Sequence, residues 1–167
     1  IVTVNSGSIC SGNSFSIIAS GASSYTYQGG SANVSPTVTS TYSVSGSNSF
    51  GCVSNSAVAT VTVFSTPSIT VSNGSICTGD TFTLNPSGAS TYTYSSGNST
   101  VSPSVTTSYS ISGTSSAGCV STTSAVAKVT VYNNPTVTVN SGSICAGYVI
   151  TLNPNGASNY TFNSSSN

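Results

Sequence analysis

The chain has 167 residues, among them one Lys, one Asp and no His, Trp or Met, and Ser plus Thr make up roughly two fifths of it. With no basic patch it is a poor partner for nucleic acid or an anionic membrane surface. A chain so rich in Ser, Thr, Asn, Gly and Val and so poor in Ala, Leu, Glu and Lys is not extensively helical, and its regular apolar alternation argues against disorder.

In chain order, the first element is a Val-Thr-Val run, followed by a short box, Ser8-Ile9-Cys10-Ser11-Gly12. Alternating apolar residues then mark strands at Phe15/Ile17, Tyr25/Tyr27, Val34 and Tyr42/Val44. Gly51-Cys52 lies in or beside a turn, and Ala57, Ala59, Val61 and Val63 share one face of the longest strand. The same order then recurs. Ile69/Val71 lead to the box Ser75-Ile76-Cys77-Thr78-Gly79, and Phe82/Leu84 form a strand ending at the turn Asn85-Pro86-Ser87-Gly88. Tyr92/Tyr94 follow, then Val101 in a segment broken by Pro103, which suits an edge. Tyr109/Ile111, Gly118-Cys119 and the run Ala125, Ala127, Val129, Val131 complete the cycle, with Lys128 on the opposite, solvent-facing side of the last strand. A third box, Ser143-Ile144-Cys145-Ala146-Gly147, starts a further cycle.

Cys10 and Cys77 are 67 residues apart, and Cys77 and Cys145 are 68. Gly51-Cys52-Val53 and Gly118-Cys119-Val120 are also 67 apart. The chain is therefore read as a tandem array with units at 1–68, 69–136 and a partial third at 137–167. A third unit shorter than half a period has too few strands for its own core. It is expected either to be cut from a longer polymer of repeats or to be completed by another subunit.

Six or seven short strands with turn punctuation in each period predict an all-β fold, a small β-sandwich repeated in tandem. Catalysis is not expected. A hydrolytic triad needs a base and there is no His, while a glycosidase needs paired carboxylates and Asp80 is alone. Calcium needs several acidic ligands, and zinc needs Cys-x-x-Cys spacing or nearby His, so neither a metal nor a cofactor is expected. Asp80 is read as a turn residue, and the box glycines as turn glycines, not phosphate cradles. Asn-x-Ser/Thr occurs at Asn33, Asn73, Asn98, Asn159 and Asn163, about as often as chance allows in so Ser/Thr-rich a chain. Stacking of the tyrosines on a glycan is possible chemistry, but their alternation favours packing within the sheet.

The order of the landmarks resembles a known family. Ser-Ile-Cys-x-Gly, Tyr-Thr-Tyr, Ser-Pro-x-Val-Thr-x-x-Tyr-Ser-Val/Ile-Ser-Gly, Gly-Cys and a closing Ala-Val-Ala-x-Val-Thr-Val look like the bacterial Ig-like (PKD-like) repeats of long secreted surface proteins. The resemblance covers the whole chain. It implies tandem Ig-like β-sandwiches of about 67 residues and an extracellular or cell-surface location. It also implies a corner tyrosine at Tyr42 and Tyr109. The usual inter-sheet Cys pair and buried Trp of such folds are missing.

The five cysteines read as disulfide-forming residues of an oxidising compartment. In the fold that the resemblance implies, the box lies at the C-terminal end of a module and Gly-Cys at the opposite end. Cys10 is then expected to pair with Cys119 of the next repeat, with Cys52, Cys77 and Cys145 finding partners outside this stretch. Pairing inside each repeat, Cys10 with Cys52 and Cys77 with Cys119, remains the alternative.

Three functions stay open at this point. The favoured one is a structural rod, stalk or filament outside the cell, with other copies or further repeats as its partners. The alternatives are an adhesin whose repeats bind a glycan or a protein, and spacer modules of a larger secreted protein. Phe64-Ser65-Thr66-Pro67 and Tyr132-Asn133-Asn134-Pro135 leave little slack between units. A nearly uncharged surface favours association with copies of itself. No membrane insertion is expected of this segment. The core is expected to contain Phe15, Ile17, Tyr42 and Val61, and Phe82, Leu84, Tyr109 and Val129.

Overall fold

A computed structural model describes residues 1–163; the last four residues of the third predicted unit, 164–167, lie outside the described residues. Every named element is a β-strand. Among the described residues no helix is long and apolar enough to cross a membrane.

The first set comprises β1 (Thr3–Val4), β2 (Gly7–Cys10), β3 (Phe15–Ser16), β4 (Ala19–Ser20), β5 (Ser24–Tyr27), β6 (Asn33–Val34), β7 (Ser40–Ser47) and β8 (Ala57–Phe64). Four of them form a sheet in the order β2-β8-β7-β5, and the short pairs β1-β4 and β3-β6 make the facing layer. Ile17, between β3 and β4, is buried against Val44 of β7 and Ala59 of β8, which closes the two layers on one core. The second set repeats this plan with β9 (Gly74–Cys77), β10 (Phe82–Thr83), β11 (Thr91–Tyr94), β12 (Thr100–Val101), β13 (Thr107–Thr114) and β14 (Ala125–Tyr132). Its main sheet runs β9-β14-β13-β11, faced by β10-β12. These are tandem Ig-like β-sandwiches with a repeat of about 67 residues. Among the described residues of the third stretch there is one isolated bridge, Thr138 to Asn155.

The long strands follow their alternation. In β14, Ala127 and Val129 are buried, whereas Val126 and Lys128 are exposed. The core differs in one respect from the expected list. Ile17, Val61, Leu84 and Val129 are buried, but Phe15, Tyr42, Phe82 and Tyr109 are half-buried. The centre is filled instead by Val44 and Ile111, which share their core clusters with the small Ala59 and Ala127. A sandwich with such short facing strands is thin, so the long aromatics pack around its rim and compact β-branched residues occupy the middle.

The box begins within a strand. Gly-Ser-Ile-Cys is a strand that runs parallel to the last strand of its sandwich, pairing Gly7 with Val61 and Cys10 with Phe64. The turn comes after it. The Asn13 N–H donates to the Cys10 carbonyl at 3.0 Å, and Gly12 takes φ +93°, the left-handed third position of a type II turn. The glycine that opens the strand has a packing reason: a Cβ on Gly7 would collide with the ring of Phe15, and one on Gly74 with that of Phe82.

The corner tyrosine is elsewhere than expected. The Tyr25 hydroxyl accepts from the Ala22 N–H and donates to the Ala22 carbonyl, both at 3.0 Å. Tyr92 makes the same pair of bonds with Ala89 at 3.1 and 3.0 Å. The residues that latch back to the backbone are thus Tyr25 and Tyr92 of the Gly-Ala-Ser-x-Tyr turns, in place of Tyr42 and Tyr109. Their rings pack against the two cores, which uses the tyrosines as sheet residues.

Candidate functional site

The junction between the two sandwiches concentrates the unusual chemistry of the chain. Parallel pairing of β2 with β8 carries Cys10 to the end of the first sandwich, next to Phe64. The Ser11 N–H donates to the Phe64 carbonyl at 2.8 Å and fixes the start of the turn. Cys52 sits at the other end, in the hairpin before β8 begins at Ala57. The eight residues of β8 separate the two ends by roughly 25 Å. No disulfide spans that distance, since its Cα atoms lie within about 7 Å.

The second sandwich presents its own hairpin to this end. The link 64–67 brings the chain to Ile69, whose side chain lies against Gly113, so the hairpin between β13 and β14 is at the junction. The Gly118 N–H donates to the Ser115 carbonyl at 3.0 Å, and the Ser115 N–H donates to the Cys119 carbonyl at 2.9 Å. Gly118 has φ +82°, as Gly51 has φ +83° in the first hairpin, and Cys119 follows it. Cys119 is fully buried. Its sulfur is bonded to that of Cys10, with the Cα atoms 5.5 Å apart at a sequence separation of 109. Beside the bond, Ala117 of the second sandwich lines an open cavity of about 240 Å³ together with Ile9, Cys10, Asn13 and Phe64 of the first.

The remaining cysteines are exposed free thiols at Cys52, Cys77 and Cys145. Cys52 occupies the same place in the first hairpin as Cys119 in the second. There Asn48 organises the turn, its side-chain oxygen accepting from the Phe50 and Cys52 N–H groups at 3.0 and 2.9 Å. Phe50, which aligns with Ala117, is 90% exposed. Cys77 ends β9 beside Tyr132, as Cys10 ends β2 beside Phe64. An open cavity of about 450 Å³ lies over it, lined by Ser75, Ile76, Cys77, Asp80, Thr81 and Tyr132. Asp80 is held in the turn by its N–H, which donates to the Cys77 carbonyl at 3.1 Å.

Elsewhere the chain has little reactive chemistry. Among the described residues no three His, Cys, Asp or Glu side chains gather at one point. What the arrangement offers is a covalent bond placed across an interface. Two of its parts escaped the sequence: that the box is itself a strand of the main sheet, and that Ala117 is seated where Phe50 is bare. The fixed spacing of Gly-Ala-Ser-x-Tyr was a usable signal for the tyrosine latch.

No protein-family profile matches the chain, and no curated protein matches it. Among solved structures it is similar to the fibronectin(III)-like modules of CbhA from Clostridium thermocellum. The identity is 13%, the TM-score 0.36, and 80% of this chain and 95% of that one are covered. It is also similar to the I-band fragment I67–I69 of titin, at 12% identity and a TM-score of 0.39, covering 80% of this chain and 65% of that one. A third likeness is the N-terminal Ig1-2 module of the Drosophila receptor protein tyrosine phosphatase DLAR, at 17% identity and a TM-score of 0.27, covering 77% and 94%.

Proposed function

We propose that the chain is a segment of an extracellular structural rod or filament of bacterial Ig-like modules, held end to end by disulfides between consecutive modules. The observation that supports this reading is the bond from Cys10 to Cys119, which crosses the junction between the two sandwiches. The link itself is short, Phe64-Ser65-Thr66-Pro67, and has no cis peptide bond. A covalent bridge beside a short link leaves the junction two attachment points, so bending there must deform folded structure.

The bridge also changes how the chain carries load. A pull on the two ends passes from Cys10 through the sulfurs to Cys119, and the residues between them bear no tension. Cys77 lies inside that span. In a longer array with the same pairing rule, each bridged span would overlap the next, so the modules would be locked in series. A nearly uncharged surface of Ser and Thr suits side-to-side packing of such rods, because like-charge repulsion is missing. Electron microscopy of the native material is the test. Unbranched filaments that loosen under a reducing agent support the rod, and dispersed protein with a bound glycan or host protein supports an adhesin instead.

A further inference from the structure

One turn recurs in all three units and differs only in its first residue. It reads Ser20-Gly21-Ala22, Ser87-Gly88-Ala89 and Asn155-Gly156-Ala157. In the first two copies the serine hydroxyl is tied across to a threonine. Ser20 meets Thr3 and Ser87 meets Thr70, each pair at 2.7 Å. In the third copy Thr138 and Asn155 keep the backbone part of this pairing, with bonds of 3.0 and 2.9 Å. The Asn155 side chain turns instead onto its own following peptide, and its oxygen accepts from the Gly156 N–H at 2.8 Å.

That contact folds the carboxamide back on the one backbone nitrogen that can attack it and close a succinimide ring. The Cγ carbon is one bond from the oxygen, so the reacting atoms are already held close together. Gly156 has φ +99°, and a Cβ there would collide with the Thr136 carbonyl oxygen, so the fold calls for glycine at this place. Glycine is also the residue that shields its own nitrogen least. Asn155 is exposed, as are Ser20 and Ser87 in the two complete sandwiches, so the turn is open to water in every copy.

The chain has a second Asn-Gly pair, Asn73-Gly74, which is held differently. The Asn73 side-chain oxygen accepts from the Lys128 N–H at 2.8 Å, and Gly74 is paired with Val129 in the main sheet. Its carboxamide is therefore tied to β14 and not to its own following nitrogen. Asn73 is exposed too, so access of water does not separate the two pairs.

We propose that Asn155 is a self-modification site, positioned by the fold for conversion to aspartate and isoaspartate. The Gly156 nitrogen gives its proton to a solvent base and forms a bond to Cγ. The Cγ–Nδ2 bond breaks, and ammonia leaves with a proton taken back from solvent. One water then opens the succinimide at either of its carbonyls, and no oxidant or cofactor takes part. The product places a second carboxylate on a chain that has one Asp and one Lys. The isoaspartyl form also lengthens the main chain by one carbon at the residue paired with Thr138. The site does not rest on the rod reading.

The test incubates the full chain at neutral pH, folded and in urea. Mass spectrometry follows the aspartyl and isoaspartyl peptides at both Asn-Gly pairs. In the folded chain Asn155 is expected to convert at least about tenfold faster than Asn73, a barrier difference of about 1.4 kcal/mol. In urea the two rates should come together, because each is then the same dipeptide in an unfolded chain. A smaller ratio in the folded chain would overturn the proposal. So would a ratio that persists in urea, which would assign the difference to the flanking residues alone.

Discussion

Cys10 and Cys119 are joined across a module junction although they lie 109 positions apart in the chain. The two residues come from unlike elements, the end of a parallel edge strand and the bulge of a hairpin. Each is positioned by backbone hydrogen bonds of its own sandwich, so the bond joins two surfaces that are shaped separately.

The first prediction concerns that bond. Replacing both cysteines with alanine removes the constraint on the unfolded chain, which for a loop of this length is worth roughly 4–5 kcal/mol in chain entropy. Chemical denaturation of the double variant should show a loss of that order, and so should the native protein under reducing conditions. A loss below about 0.5 kcal/mol, the level of an ordinary surface change, would mean that the bond does not constrain the unfolded state.

A second prediction separates the finished core from the open one. Leu84→Ala should cost about 2–5 kcal/mol, because Leu84 is fully enclosed by β12–β14. Leu152→Ala, at the matching position, should cost under about 0.5 kcal/mol in the isolated chain. Urea titration of the two variants gives the comparison, and equal losses would show that the third stretch has a core of its own.

Much of the fold was legible from alternation. Ala57, Ala59, Val61 and Val63 share a face in the sequence and turn that face to the core in the structure, and Lys128 points away from it. Periodicity says which side of a strand is apolar but not which strand it pairs with. The parallel pairing of Gly7–Cys10 with β8 was hidden for that reason, since its partner lies more than fifty residues away. The aromatics misled in a different way. Tyr42 and Tyr109 alternate like core residues, but a tyrosine has to keep its hydroxyl near water or a partner, so the centre went to Val44 and Ile111.

The tyrosine latch yields a third prediction. Tyr92→Phe leaves the Ala89 N–H and carbonyl without the hydroxyl that satisfies both. The site is only part-buried, so water recovers some of the loss and the expected cost is about 1 kcal/mol. Thermal unfolding of Tyr25→Phe and Tyr92→Phe should show matching decreases. No change in either would assign the rings to packing alone.

A fourth prediction follows from the lack of charge. Side-to-side association of the purified protein should be nearly independent of salt, because one Lys and one Asp leave little to screen. Light scattering between about 50 and 500 mM salt, over which the screening length shrinks roughly threefold, is the measurement. Monomers at every protein concentration would contradict the association, and strong salt dependence would contradict its apolar and hydrogen-bonded character.

The load path is tested most directly by stretching single molecules held at the two ends of residues 1–132 with and without a reducing agent. Oxidised, the two sandwiches should release only the chain outside the bridge. Reduced, they should release the enclosed chain as well, a separation of 109 residue steps and about 390 Å of extra contour at about 3.6 Å per step. Full extension of both sandwiches in the absence of reductant would contradict the account.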